Sequence, residues 1–206
     1  LAGLTRRLNA VIGSRTFADL KLPFAVTAVW VEYGRVVTLR EGSLVDALLA
    51  SMALPGVFPM KTINRMGLVD GGMLNAIPVA AARSLVEAHY PVVAVGLTAP
   101  LGVPATMQRI YFPKFIPHWL AEAIKRLRFM QALDVLLLSQ DMMMRALTKL
   151  HLEKEPPDLI IRPAVEHLNM LQPASTHDLI KRGEDAIDAA LPQLLNLFEK
   201  ESSQVE

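Results

Sequence analysis

An aspartate closes a short apolar run at Gly67-Leu68-Val69-Asp70, and two glycines, Gly71 and Gly72, follow it at once. The run reads as a buried strand, with Asp70 at its tip and the glycines forming a break. A free aspartate, with a pKa near ~3.9, is a feeble base in water. Partial desolvation disfavours its charged form and makes it a better proton acceptor. Taken alone, Asp-Gly-Gly is most often only a turn. Two other chemistries use a carboxylate at such a place. A Mg²⁺ site would gather several carboxylates, and only Asp70 stands near this turn. A Ser-His-Asp triad could draw on His177, later in the chain, but needs a Gly-x-Ser-x-Gly elbow that these 206 residues do not contain.

The other polar residues offer little competing chemistry. The five histidines (His89, His118, His151, His167 and His177) show no i, i+4 pair of the kind that holds zinc on a helix. The sequence has no cysteine, which removes disulfides, thiolate catalysis and cysteine-ligated metal. No metal or organic cofactor is expected. The formal net charge is +1 and no block of Lys and Arg occurs, so nucleic acid is not an expected partner. Ser51 lies on a small-residue helix face and reads as packing, and Ser43 reads as a helix cap.

The elements that must position Asp70 can be read from periodicity. Leu4, Leu8, Val11 and Ile12 predict a helix over about 2–12 that ends at Gly13. Phe24 to Val31 and Arg35 to Arg40 predict two strands joined by a turn at Glu32-Tyr33-Gly34. Ser43 and Asp46 form a capping pattern that opens a helix over Leu44 to Ala53, closed by Leu54-Pro55-Gly56. Pro78 suits the first turn of a helix reaching about His89. Val92 to Thr98 reads as an apolar strand buried on both faces, which would make strand, helix and strand a right-handed βαβ crossover. A helical region is expected over about 118–150, a strand over Asp158 to Arg162, and a last amphipathic helix from Thr176 or Asp178 to about Lys200. Pro192 is expected to kink or divide that helix.

The block Ala50-Ser-Met-Ala-Leu-Pro-Gly-Val-Phe-Pro59, followed by Gly67-Leu-Val-Asp-Gly-Gly-Met-Leu-Asn-Ala-Ile-Pro78, resembles the patatin-like phospholipase family, and most closely its bacterial and neuropathy-target-esterase-like branch. Ser51, Pro55, Phe58, Pro59, Asp70, Gly71, Gly72, Asn75 and Pro78 carry the resemblance. Phe24 to Arg40 looks like the family's hairpin, and Pro156 to Pro163 like its late strand. The resemblance implies a three-layer α/β/α fold, with residues 1–206 forming the C-terminal portion of a single patatin-like domain. It also implies a Ser–Asp dyad acting on lipid esters, with Asp70 as the base. Gly71 and Gly72 would then spare the turn an unfavourable φ and leave room for the nucleophile. Asn75 would hydrogen-bond the loop, and Pro78 would start the next helix.

The family's Gly-rich oxyanion loop and its nucleophile elbow precede the aspartate, and neither pattern occurs here. The chain opens Leu-Ala-Gly, so we expect it to be a portion of a longer protein whose serine lies upstream. Alone it is expected to be inactive and poorly stable. The rival expectation is a family member without a nucleophile that binds lipid or protein. Lipid is the expected partner; the sequence leaves the oligomeric state open. Tyr111, Phe112, Phe115 and Trp119, followed by Lys125, Arg126 and Arg128, suit a membrane interface, although rings capping the core are the plainer reading. Met142-Met143-Met144 reads as core filler. No stretch has the ~20 apolar residues of a membrane span. The expected location is the cytoplasm, with contact to a membrane surface.

Overall fold

The computed structural model describes residues 2–86, 90–103, 128–165 and 175–202. The aromatic segment 111–119 and its neighbouring cations Lys125 and Arg126 lie outside these residues, as do His89, His118 and His167. The chain divides into two compact units. One is Leu1–Val92 with His151–Pro157, and the other is Val93–Leu150 with Asp158–Glu206. The structure has the mixed α/β character expected from the sequence.

The first unit is built on a four-stranded antiparallel sheet. Its strands are β1 (Val26–Trp30), β2 (Arg35–Leu39), β3 (Lys61–Ile63) and β4 (Met66–Asp70), in the order β2-β1-β4-β3. The hairpin β1–β2 forms as expected: a 3₁₀ turn at Val31–Tyr33 leads into Gly34, whose φ of 58° is the left-handed conformation that glycine takes at low cost. Trp30 and Arg35 are register partners, and the Arg35 guanidinium lies 5.0 Å from the Trp30 ring centroid. Strand β3 is absent from the sequence reading. It pairs with β4 through a two-residue turn, Asn64-Arg65, in which both residues have positive φ.

Helix α1 (Ala2–Ile12) ends where Gly13, at φ 67°, donates its N–H to the Asn9 carbonyl. Helix α2 (Leu44–Ser51) starts at Ser43, whose hydroxyl accepts the Asp46 N–H. It packs on one face of the sheet. Leu44 and Ala47 meet Val26 and Phe17, and Ala50 meets Ala28 and Leu68; Ala28, Ala50 and Leu68 are completely buried. Alanines at this contact let the helix backbone approach the strands closely. Lys61 of β3 also pairs with Asp46 of α2 at 2.7 Å. Helix α3 (Val79–Arg83) follows Pro78, which serves as its N-cap residue rather than its first turn.

In the second unit, β5 (Val93–Val95) pairs in parallel with β6 (Leu159–Ile161). The structure departs from the sequence pattern in two ways. Strands β4 and β5 belong to different sheets, so they do not form a βαβ crossover. The segment around β5 is not buried on both faces, because Val95 is 53% and Leu97 65% exposed while Ala94 and Gly96 are buried. Helix α4 (Arg128–Lys154) and helix α5 (Thr176–Ser202) complete the described elements. Helix α5 runs undivided through Pro192. Proline removes one backbone bond, and the long helical stretches on either side hold the rest. Among the described residues no helix is long and apolar enough to cross a membrane.

Candidate active site

Asp70 is the last residue of a strand flanked on both sides, by β1 and β3. Its register partner on β1 is Ala28, so the two lie on one face of the sheet, the face that α2 covers. The Asp70 N–H donates to the carbonyl of Ala53, just past α2, at 3.1 Å. Ala53 is completely buried. The carboxylate therefore leaves the sheet under the C-terminal end of the helix and is half-buried.

One carboxylate oxygen, Oδ1, accepts the Gly72 N–H at 2.8 Å and closes a tight turn on itself. Among the described residues nothing donates to Oδ2. Two opposing effects act on the acid. Burial raises its pKa above the ordinary aspartate value, and the Gly72 N–H lowers it; burial prevails and the pKa is raised. Desolvation thus turns a weak base into a better one, as the apolar strand leading to Asp70 suggests.

The glycines serve the turn by a route other than φ. Neither has a positive φ. A β-carbon on Gly71 would stand 2.6 Å from the carbonyl oxygen of Thr27 and 2.8 Å from its hydroxyl, because the 3₁₀ turn Gly71–Met73 runs against β1. A β-carbon on Gly72 would stand 3.1 Å from Asp70 Oδ1. Gly71 is thus a packing requirement, and Gly72 keeps the carboxylate uncrowded. Asn75 holds the loop through its backbone, its N–H donating to the Gly71 carbonyl at 3.1 Å. Its side-chain Oδ1 is buried without a donor. Pro78 then leads into α3. Thr27 and the Ala53 carbonyl, both in contact with the turn, carry no sequence signal. Each is an ordinary residue brought in by tertiary pairing.

No group of three or more His, Asp or Glu side chains among the described residues could hold a metal ion. His177 is exposed in the first turn of α5. Ser51, the last residue of α2, is half-buried.

Residues 2–83, which include β1 to β4, α2 and the whole Asp70 turn, match the family model for patatin-like phospholipase. This stretch is similar to patatin-like phospholipases, and the mixed α/β structure is consistent with that similarity. Uncharacterized proteins of the NTE family from Mycobacterium bovis and from two strains of Mycobacterium tuberculosis are 31% identical to it over 70 residues. Those 70 residues are 34% of this chain and 19% of each relative, so the chain matches about a fifth of the length of these relatives.

Proposed function

We propose that the chain supplies the catalytic carboxylate of a serine-dependent lipid acyl hydrolase acting on phospholipid, lysophospholipid or a related ester. The observation that carries the reading is the state of Asp70. It is a half-buried carboxylate with a raised pKa, one oxygen anchored by the Gly72 N–H and the other without a donor among the described residues. The match of residues 2–83 to a patatin-like phospholipase supports the substrate class.

In this mechanism a serine hydroxyl from outside the 206 residues attacks the ester carbonyl, and its proton passes to Asp70 Oδ2. The tetrahedral intermediate collapses, the C–O bond to the leaving alcohol breaks, and Asp70 returns the proton to that oxygen. Asp70 then takes a proton from water, whose oxygen attacks the acyl-serine; the C–O bond to serine breaks, and Asp70 returns the proton to the serine oxygen as the fatty acid leaves. The Gly72 N–H keeps the carboxylate aimed while Oδ2 carries the proton.

A second reading is favoured by one observation, the lack of any Gly-x-Ser-x-Gly in the chain. It is a nucleophile-free module that binds lipid or protein. The two separate in the complete protein encoded by the gene. A fluorophosphonate probe labels a serine in the enzyme, and Asp70→Asn lowers ester turnover by about 10²–10⁴-fold. An unlabelled protein, or wild-type turnover in the Asn variant, refutes the hydrolase assignment.

A further inference from the structure

Outside the Asp70 turn, the first unit holds a cavity of about 540 Å³ between the end of α1, the segment Leu20–Phe24 and the first turns of α2. Its size is that of a small-molecule site. Leu20, Leu22, Phe24 and Leu48 supply apolar wall, and the charged side chains that line it are Arg15 and Lys21. Leu22 is 78% and Phe24 43% exposed, a cost in apolar surface that packing within the unit does not recover.

The cavity walls are fixed by specific bonds. The Leu44 N–H donates to the Arg15 carbonyl at 3.1 Å and the Phe17 N–H to the Gly42 carbonyl at 3.2 Å, tying the segment after α1 to the start of α2. Phe17 stacks on Phe24 with ring centroids 5.9 Å apart. Thr16 holds the Asp19 carboxylate through its N–H at 2.7 Å and its hydroxyl at 2.8 Å. These bonds, with a smaller contribution from the charge of Arg15, keep Asp19 ionised below the usual range. Thr16 thus satisfies the local acid, and Lys21 makes no ion pair among the described residues. Both cations are exposed, and both line the apolar hollow.

An apolar hollow lined by two exposed cations is complementary in polarity and charge to an alkyl chain ending in an anion. We propose that this cavity binds a fatty carboxylate, its chain along Leu20, Leu22, Phe24 and Leu48 and its carboxylate between Arg15 and Lys21. None of these residues belongs to the Asp70 turn, so the proposal and the hydrolase reading stand or fall separately.

Calorimetric titration with decanoate, decanol and decyltrimethylammonium, each below its micelle concentration, tests the site. Saturable one-to-one binding of decanoate is expected, with decanol weaker by about tenfold and the cation not bound. Arg15→Gln with Lys21→Gln reduces decanoate affinity to the decanol level and leaves decanol unchanged. Leu22→Asp, at a position 78% exposed, weakens both ligands. Absence of saturable decanoate binding overturns the proposal, as does equal affinity for the three head groups or insensitivity to these substitutions. A concentration-dependent dimer that Leu22→Asp abolishes would put a second copy in the cavity and overturn it as well.

Discussion

Gly71 lies so close to Thr27 that a β-carbon would sit 2.6 Å from the Thr27 carbonyl oxygen. The turn that presents Asp70 is pressed against the backbone of β1, which is paired on both edges and cannot retreat. The requirement for glycine therefore comes from contact between segments 44 positions apart. Gly71→Ala is expected to lose about 1–3 kcal/mol in urea unfolding, the usual cost of overpacking. Gly72→Ala meets only the Asp70 carboxylate, at 3.1 Å, and is expected to cost less than Gly71→Ala. Equal losses for the two would mean that the turn moves away from β1 freely.

The raised pKa of Asp70 fixes the sign of a pH effect. Burial favours the neutral acid in the folded state, so the contribution of Asp70 to stability is fully present below the unfolded aspartate value of 3.8. It is lost as pH rises from there through the folded value. Asp70→Asn keeps an oxygen that can accept the Gly72 N–H and carries no charge. Compared by urea unfolding between pH 3 and pH 7, the Asn variant is expected to gain on wild type as pH rises, with no gain at the acid end. Taking the difference between two proteins cancels the titration of the other carboxylates. A constant difference across the range would show that the Asp70 carboxyl is effectively solvated.

Helix α2 reaches the site through its far end. Ser43 caps its first turn through the Asp46 N–H, and the Ala53 carbonyl beyond its last turn receives the Asp70 N–H. Removing the cap in Ser43→Ala is expected to cost about 1 kcal/mol, and Ser43→Asp to restore most of it. Thermal unfolding measures both. If alanine is tolerated without loss, the helix is held by its packing alone.

Local signals were legible in the sequence, and pairings between distant segments were not. The end of α1 at Gly13, the cap at Ser43 and the turn at Gly34 each depend on a few neighbouring residues whose types state the geometry. Strand β3 escaped because it is three residues long and its turn uses Arg65 at φ 66°, a conformation that arginine seldom marks. The supposed crossover from β4 to β5 failed for a related reason: strand, helix and strand in order say nothing about which sheet each strand joins. At the candidate site, Asp70 and both glycines were legible as types at a spacing. Thr27 and Ala53 were not, since a threonine in a strand and an alanine after a helix acquire a role only when the chain brings them to the turn.

The placement of Asp70 depends finally on how closely α2 lies on the sheet. Ala50 and Ala28 face each other across that contact with Leu68, and all three are completely buried. A larger side chain has no unfilled space to enter, so the helix must lift or the strand must bend. Ala50→Leu is expected to cost about 1–3 kcal/mol by overpacking. Because Ala53 holds the Asp70 N–H and Ala28 lies beside Asp70 in the register, the displacement should reach the carboxylate. In the complete protein the same substitution is expected to lower ester turnover more than Ser43→Ala does, since Ser43→Ala frays the remote end of the helix and leaves the contact intact. Measured on the folded fraction at a temperature well below unfolding, turnover separates a displaced base from a loss of folded protein. If Ala50→Leu is destabilised but retains full turnover per folded molecule, Asp70 is held by the strand and its turn, and the helix contributes only stability.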